Sequence, residues 1–71
     1  MQLTDLSKDV RRLLLQHWTE SEIESRLKDP DYFFEQVVMP RLDYLRRSGE
    51  DAPHIRFQRT PTGPPRILLL P

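Results

Sequence analysis

Apolar residues recur at helical spacing through the first two thirds of this chain and change to strand-like clustering in the last third. Leu3, Leu6, Val10, Leu13 and His17 follow one another at 3-4-3-4 spacing, and Leu14 and Trp18 widen the stripe. Lys8, Asp9, Arg11, Arg12 and Gln16 fall off it, as solvent-facing residues should. This predicts an amphipathic helix over about 4–17. The stripe is too short for a coiled coil on its own, so a globular core or a dimer contact is its expected use.

Thr19-Glu20-Ser21-Glu22 has the form of a capping box, with Trp18 and Ile23 at the flanking staple positions. It predicts a sharp turn and a second, short helix over 20–28 that buries Ile23 and Leu27 at i, i+4 spacing. Asp29 and Pro30 then supply an N-cap and a first helical residue. A third helix is expected over 30–47, with Phe34, Val38, Leu42 and Leu45 inward. Pro40 lies inside this pattern and must kink or split the helix. Ser48-Gly49 ends it, with Arg46 and Arg47 in the last turn, where the helix dipole favours cations.

Residues 54–70 read as a β-hairpin: His54 to Thr60, the turn Pro61-Thr62-Gly63-Pro64, then Pro65 to Leu70. Centring the turn on Thr62-Gly63 pairs Ile55 with Leu70, Phe57 with Leu68 and Arg59 with Arg66. In that register Ile55, Phe57, Leu68 and Leu70 face the helices. Ile67 and Leu69 then face outward as a protein-interface surface, to be covered by a second copy or another protein.

The fold class expected is α+β, three helices and a C-terminal hairpin in one domain, 1–71. A chain of 71 residues is near the lower limit for a self-sufficient core and buries roughly 60% of its unfolded surface. It has no cysteine, and its two histidines, His17 and His54, are far apart, so neither disulfides nor a zinc site is expected. No apolar run approaches the roughly 20 residues of a membrane span, and Met1-Gln2-Leu3-Thr4-Asp5 lacks a signal-peptide pattern, so a cytoplasmic protein is expected. Net charge is zero but unevenly placed. Residues 1–40 carry five Lys/Arg and eight Asp/Glu, net −3; residues 41–71 carry six Arg and three Asp/Glu, net +3. That asymmetry points an anionic partner at the C-terminal half.

From Thr19 onward the chain resembles a winged helix-turn-helix domain. The features that carry the resemblance are the short helix Glu20–Leu27, a turn, and the long helix ending Val38-Met39-Pro40-Arg41-Leu42-Asp43-Tyr44-Leu45-Arg46-Arg47-Ser48-Gly49, followed by the hairpin as wing. The spacing of Val38, Leu42 and Leu45 before Gly49 is similar to the end of that family's recognition helix. The resemblance implies double-stranded DNA as partner, with helix 3 in the major groove and the wing against phosphates or the minor groove. One feature departs from the pattern: Asp29, Asp31 and Glu35 stand where that helix would meet DNA, and carboxylates oppose phosphate.

The residues expected to touch nucleic acid are therefore Tyr32, Gln36 and Arg41 on helix 3, Arg46 and Arg47 at its end, and Arg56, Arg59 and Arg66 on the hairpin. Arg59 and Arg66, as cross-strand neighbours, would repel one another without an anion between them. No catalytic set, cofactor site or small-molecule substrate is expected. Asp5 with Asp9 and Glu20 with Glu24 share helix faces as any solvated pairs do, neither histidine has a triad partner, and there is no glycine-rich phosphate loop. The function expected is a small non-enzymatic DNA-binding regulator, or a mobile-element or phage accessory factor, that acts as a homodimer. The alternative is a protein-interaction module using the acidic helix face and the apolar hairpin face.

Overall fold

The computed structural model describes residues 1–70; Pro71, the last residue of the expected domain 1–71, lies outside the described residues. The fold is α+β, a set of helices followed by a two-stranded antiparallel hairpin.

The first helix begins later than its apolar stripe. Leu3–Asp5 form a separate 3₁₀ turn, closed by the Gln2 N–H donating to the Asp5 carboxylate at 2.8 Å. Leu6 is extended, at φ −83° and ψ 150°, and Ser7 caps α1 (Lys8–His17) by accepting from the Val10 N–H at 3.3 Å. Breaking the helix here lets Leu3 and Leu6 both reach the core. The capping box at Thr19 forms as its residues dictate and starts α2 (Glu20–Arg26), which ends two residues earlier than expected. The Glu22 N–H donates to the Thr19 hydroxyl at 3.2 Å, and the Thr19 N–H donates to the Glu22 carboxylate at 3.1 Å.

Asp29 caps the long helical run, accepting from the Tyr32 N–H at 3.3 Å. The run is neither kinked apart nor regular: α3 (Pro30–Tyr32) widens into a π-helical segment, Phe33–Val38, which passes into α4 (Met39–Arg47). Within the wide segment the Met39 N–H reaches back five residues to the Phe34 carbonyl. Pro40 follows at once. It has no N–H to donate, and in a regular helix its ring would press on the carbonyl four residues back; the wider turn makes room for it. Gly49, at φ 89°, ends α4 in the left-handed conformation, with Gly49 N–H to Arg46 O at 3.1 Å and Glu50 N–H to Leu45 O at 3.0 Å.

The core is built from Leu3, Leu6, Val10, Leu13, Leu14, Ile23, Leu27, Phe33, Phe34, Val38, Leu42 and Ile55, all buried. An aromatic chain crosses it. Trp18 meets Phe33 edge-on at 5.5 Å, Phe33 meets Phe34 at 5.4 Å, and Phe34 stacks on Phe57 at 5.3 Å with planes 11° apart. This chain of rings seats the hairpin on the long helix.

The hairpin register differs by one residue from the expected one. β1 (His54–Gln58) pairs with β2 (Arg66–Leu70) as His54 with Leu70, Ile55 with Leu69, Arg56 with Leu68, Phe57 with Ile67 and Gln58 with Arg66. Ile67 and Leu69 therefore turn inward and pack against the core, and the expected interface surface made from them does not form. Leu68 and Leu70 take the outer face instead. The expected register would have paired Thr60 with Pro65, which has no N–H for the ladder, and set Arg59 beside Arg66. In the observed one Pro61, Pro64 and Pro65 all stay in the 59–65 loop, where the Thr60 hydroxyl lies 3.0 Å from the Gly63 and Pro64 carbonyl oxygens. Arg59 leaves the ladder.

Candidate nucleic-acid interface

Eight residues were expected at the interface, and the fold divides them into bound and free. Arg59 swings from the root of the hairpin loop to the long helix. Its Nε donates to the Glu35 carboxylate at 2.6 Å and stands 3.8 Å from Asp31. Hydrogen bonding to Glu35, then the charges of Glu35, Asp31 and Asp29, hold the guanidinium charged more firmly than usual. The carboxylates that would repel phosphate thus have their own cation, supplied by the hairpin.

Arg46 and Arg47 are held in the same way. Both pair with Asp43, Arg46 at 3.6 Å, and the Arg46 guanidinium also donates to the Pro53 carbonyl at 2.8 Å. The Arg47 hydrogen bond is the main cause of the lowered Asp43 pKa. Arg46 so fastens the end of α4 to the start of the hairpin, a structural task that a sequence reading of helix-end cations does not disclose. These three arginines each have a carboxylate partner within the molecule, Arg47 and Arg59 while remaining largely exposed.

Arg56 and Arg66 differ. Both are exposed, both lie on the outer face of the hairpin, and neither has a carboxylate partner among the described residues. Arg56 sits directly opposite Leu68, and Arg66 sits two residues before Leu68 on the same face. Cross-strand diagonals of this kind are roughly 7–8 Å apart, near enough for two guanidinium groups to share an anion. Leu68 between them is 55% exposed. His54 and Gln58 complete the exposed side of β1.

On the long helix, Tyr32, Gln36, Pro40 and Tyr44 are all exposed at four-residue intervals, Tyr32 by 58% and Tyr44 by 60%. A four-residue interval drifts round a regular helix, but the wide π turns bring it back into line. Arg41 lies beside this stripe with its guanidinium carbon 6.0 Å from the centre of the Tyr44 ring. Tyr32, Gln36 and Arg41 are thus accessible as expected. Pro40 and Tyr44 join them, and the four-residue spacing in the sequence was the signal for it.

Among the described residues, no group of three or more His, Cys, Asp or Glu is placed to hold a metal ion, no buried polar side-chain atom lacks a hydrogen-bond partner, and no helix is long and apolar enough to cross a membrane. Comparison with protein-family models, characterised proteins and solved structures finds no match to this chain.

Proposed function

We propose that this chain is a winged-helix-type module that binds double-stranded DNA, acting as a regulator or accessory factor and not as an enzyme. The layout supports the reading: a short capped helix, a turn, a long helix and a hairpin seated on it. The observation that carries it is the pair Arg56 and Arg66. Every other arginine of the long helix end and hairpin, Arg41 apart, is matched to a carboxylate, yet these two share one open face with no carboxylate partner among the described residues. The two form a cross-strand diagonal pair of cations, and a phosphate backbone offers a row of anions spaced for such a pair.

The test is a fluorescence anisotropy titration with random-sequence duplex at several salt concentrations. Binding should weaken linearly in log–log form. Arg56→Ala with Arg66→Ala should flatten the slope by about 1.8, two phosphates' worth, whatever the sequence of the duplex. Wild-type protein that ignores duplex at low salt contradicts the proposal.

A second reading rests on the stripe Tyr32, Gln36, Pro40 and Tyr44. It carries no charge, and exposed tyrosine beside arginine is the composition of protein-interface anchors. It makes the same fold a protein-binding module, and absence of duplex binding would favour it.

A further inference from the structure

We infer that β2 is a self-pairing edge, along which a second copy of this chain adds its own β2 antiparallel and completes a four-stranded sheet. The inference is independent of DNA binding. The hairpin is a two-stranded sheet, so each strand turns one row of backbone N–H and C=O groups away from its neighbour. Among the described residues, no backbone group of 66–70 bonds to any element besides β1. Such a row is a template for another strand unless charge, proline or a bulge blunts it. From Ile67 to Leu70, β2 carries neither charge nor proline. It also lies at the margin of the core: Ile55 of β1 is buried, whereas Ile67 and Leu69 are only half-buried.

The side chains name the occupant. A two-fold antiparallel pairing centred on Leu68 engages all five residues of β2, with Leu68 against Leu68, Ile67 against Leu69 and Arg66 against Leu70. Apolar residues meet in the middle and the two Arg66 side chains stand at opposite ends. The same operation on β1 would set Arg56 directly against Arg56, which like charges oppose. Charge then completes the fit. Leu69 and Leu70 border one surface depression with Glu50 and Asp51. Among the described residues, Glu50 and Asp51 have no cation partner and Arg66 has no carboxylate. Placing Arg66 of one copy opposite Leu70 of the other brings these unmatched charges together, once at each end of the pair.

The experiment uses the 71-residue chain. In sedimentation equilibrium its mass should rise from monomer to dimer with concentration, since a five-residue edge makes a small interface. Arg66→Glu alone, and Glu50→Lys with Asp51→Lys alone, should each weaken the dimer by about tenfold or more, because the contacts at both ends become repulsive. An equimolar mixture of these two proteins should dimerise as the wild type does, since each end again joins opposite charges. All three positions are exposed, so the fold should persist by circular dichroism. Leu68→Cys reads the register. Residues directly opposite lie roughly 4.5–5.5 Å apart, within disulfide reach, so mild oxidation should link this variant into a covalent dimer. Arg56→Cys, also exposed but on β1, should stay unlinked. A wild type that remains monomeric at the concentrations of an NMR sample leaves the edge to a different protein and overturns the inference. A mixture no tighter than its components overturns it too, as does a dimer in which Leu68→Cys fails to cross-link.

Discussion

Phe34 shows how much of so small a protein one side chain can carry. It is fully buried, meets Phe33 at its edge and stacks on Phe57, so it joins the long helix to the hairpin. Emptying a buried phenylalanine costs about 3–5 kcal/mol. A domain of 71 residues has about 4–10 kcal/mol of total stability at typical per-residue values. Phe34→Ala should therefore leave a chain that is largely unfolded or melts near room temperature in a thermal scan; an unchanged melting temperature would remove the aromatic chain as the hairpin's anchor. Thr19 acts at smaller scale. Thr19→Ala removes an N-cap and should cost about 1 kcal/mol in denaturant titration. The same cap holds the Glu22 pKa below its ordinary 4.5, chiefly through the backbone hydrogen bond to Thr19. A carboxylate lowered in the folded state stabilises it fully above the unfolded value and loses that contribution as pH falls through the folded one. This part of the stability should thus fade on acidification below about 4.5, and Thr19→Ala should show less of that loss.

At the scale of elements, α2, its capping box and the glycine stop of α4 were legible because each is set by residues within one turn of each other. The features that escaped depend on distant partners. Ser7 as the true cap of α1 was masked by an apolar stripe that continues through the 3₁₀ turn at Leu3–Asp5. Pro40 announced a disturbance but not its form, since a wide turn upstream satisfies the same constraint as a kink. The register was missed because alternation in Ile67-Leu68-Leu69-Leu70 is silent: all four are apolar, and only the pull of Arg59 toward Glu35 and the three prolines in the loop decide between neighbours. The observed register makes opposite demands on adjacent residues. Ile67→Lys should lower the melting temperature by many degrees, and Leu68→Lys should leave it nearly unchanged. The reverse order would restore the expected pairing. The candidate site was legible as a list of exposed polar residues but not as a set of partners, since ion pairs such as Arg59–Glu35 span 24 positions. That pair also makes a prediction of its own. Glu35→Gln should free Arg59 for phosphate and steepen the salt slope of duplex binding by about 0.9, and adding Arg59→Ala should cancel the gain.

For the whole molecule, a net charge of zero conceals a division of labour. The acidic half and the basic half meet at the Arg59 clasp, and Arg56 and Arg66 stand on the outer face of the hairpin. If the chain binds duplex through that face, binding should depend on few phosphates and so be modest and salt-sensitive. The most direct test is a two-dimensional amide NMR titration of the labelled chain with a short duplex at low salt. Shifts centred on Arg56, Arg66 and Leu68, with smaller ones at Tyr32, Gln36 and Arg41, are the expected result. A spectrum that does not change with excess duplex, or changes only on α1 and α2, would contradict DNA binding by this face.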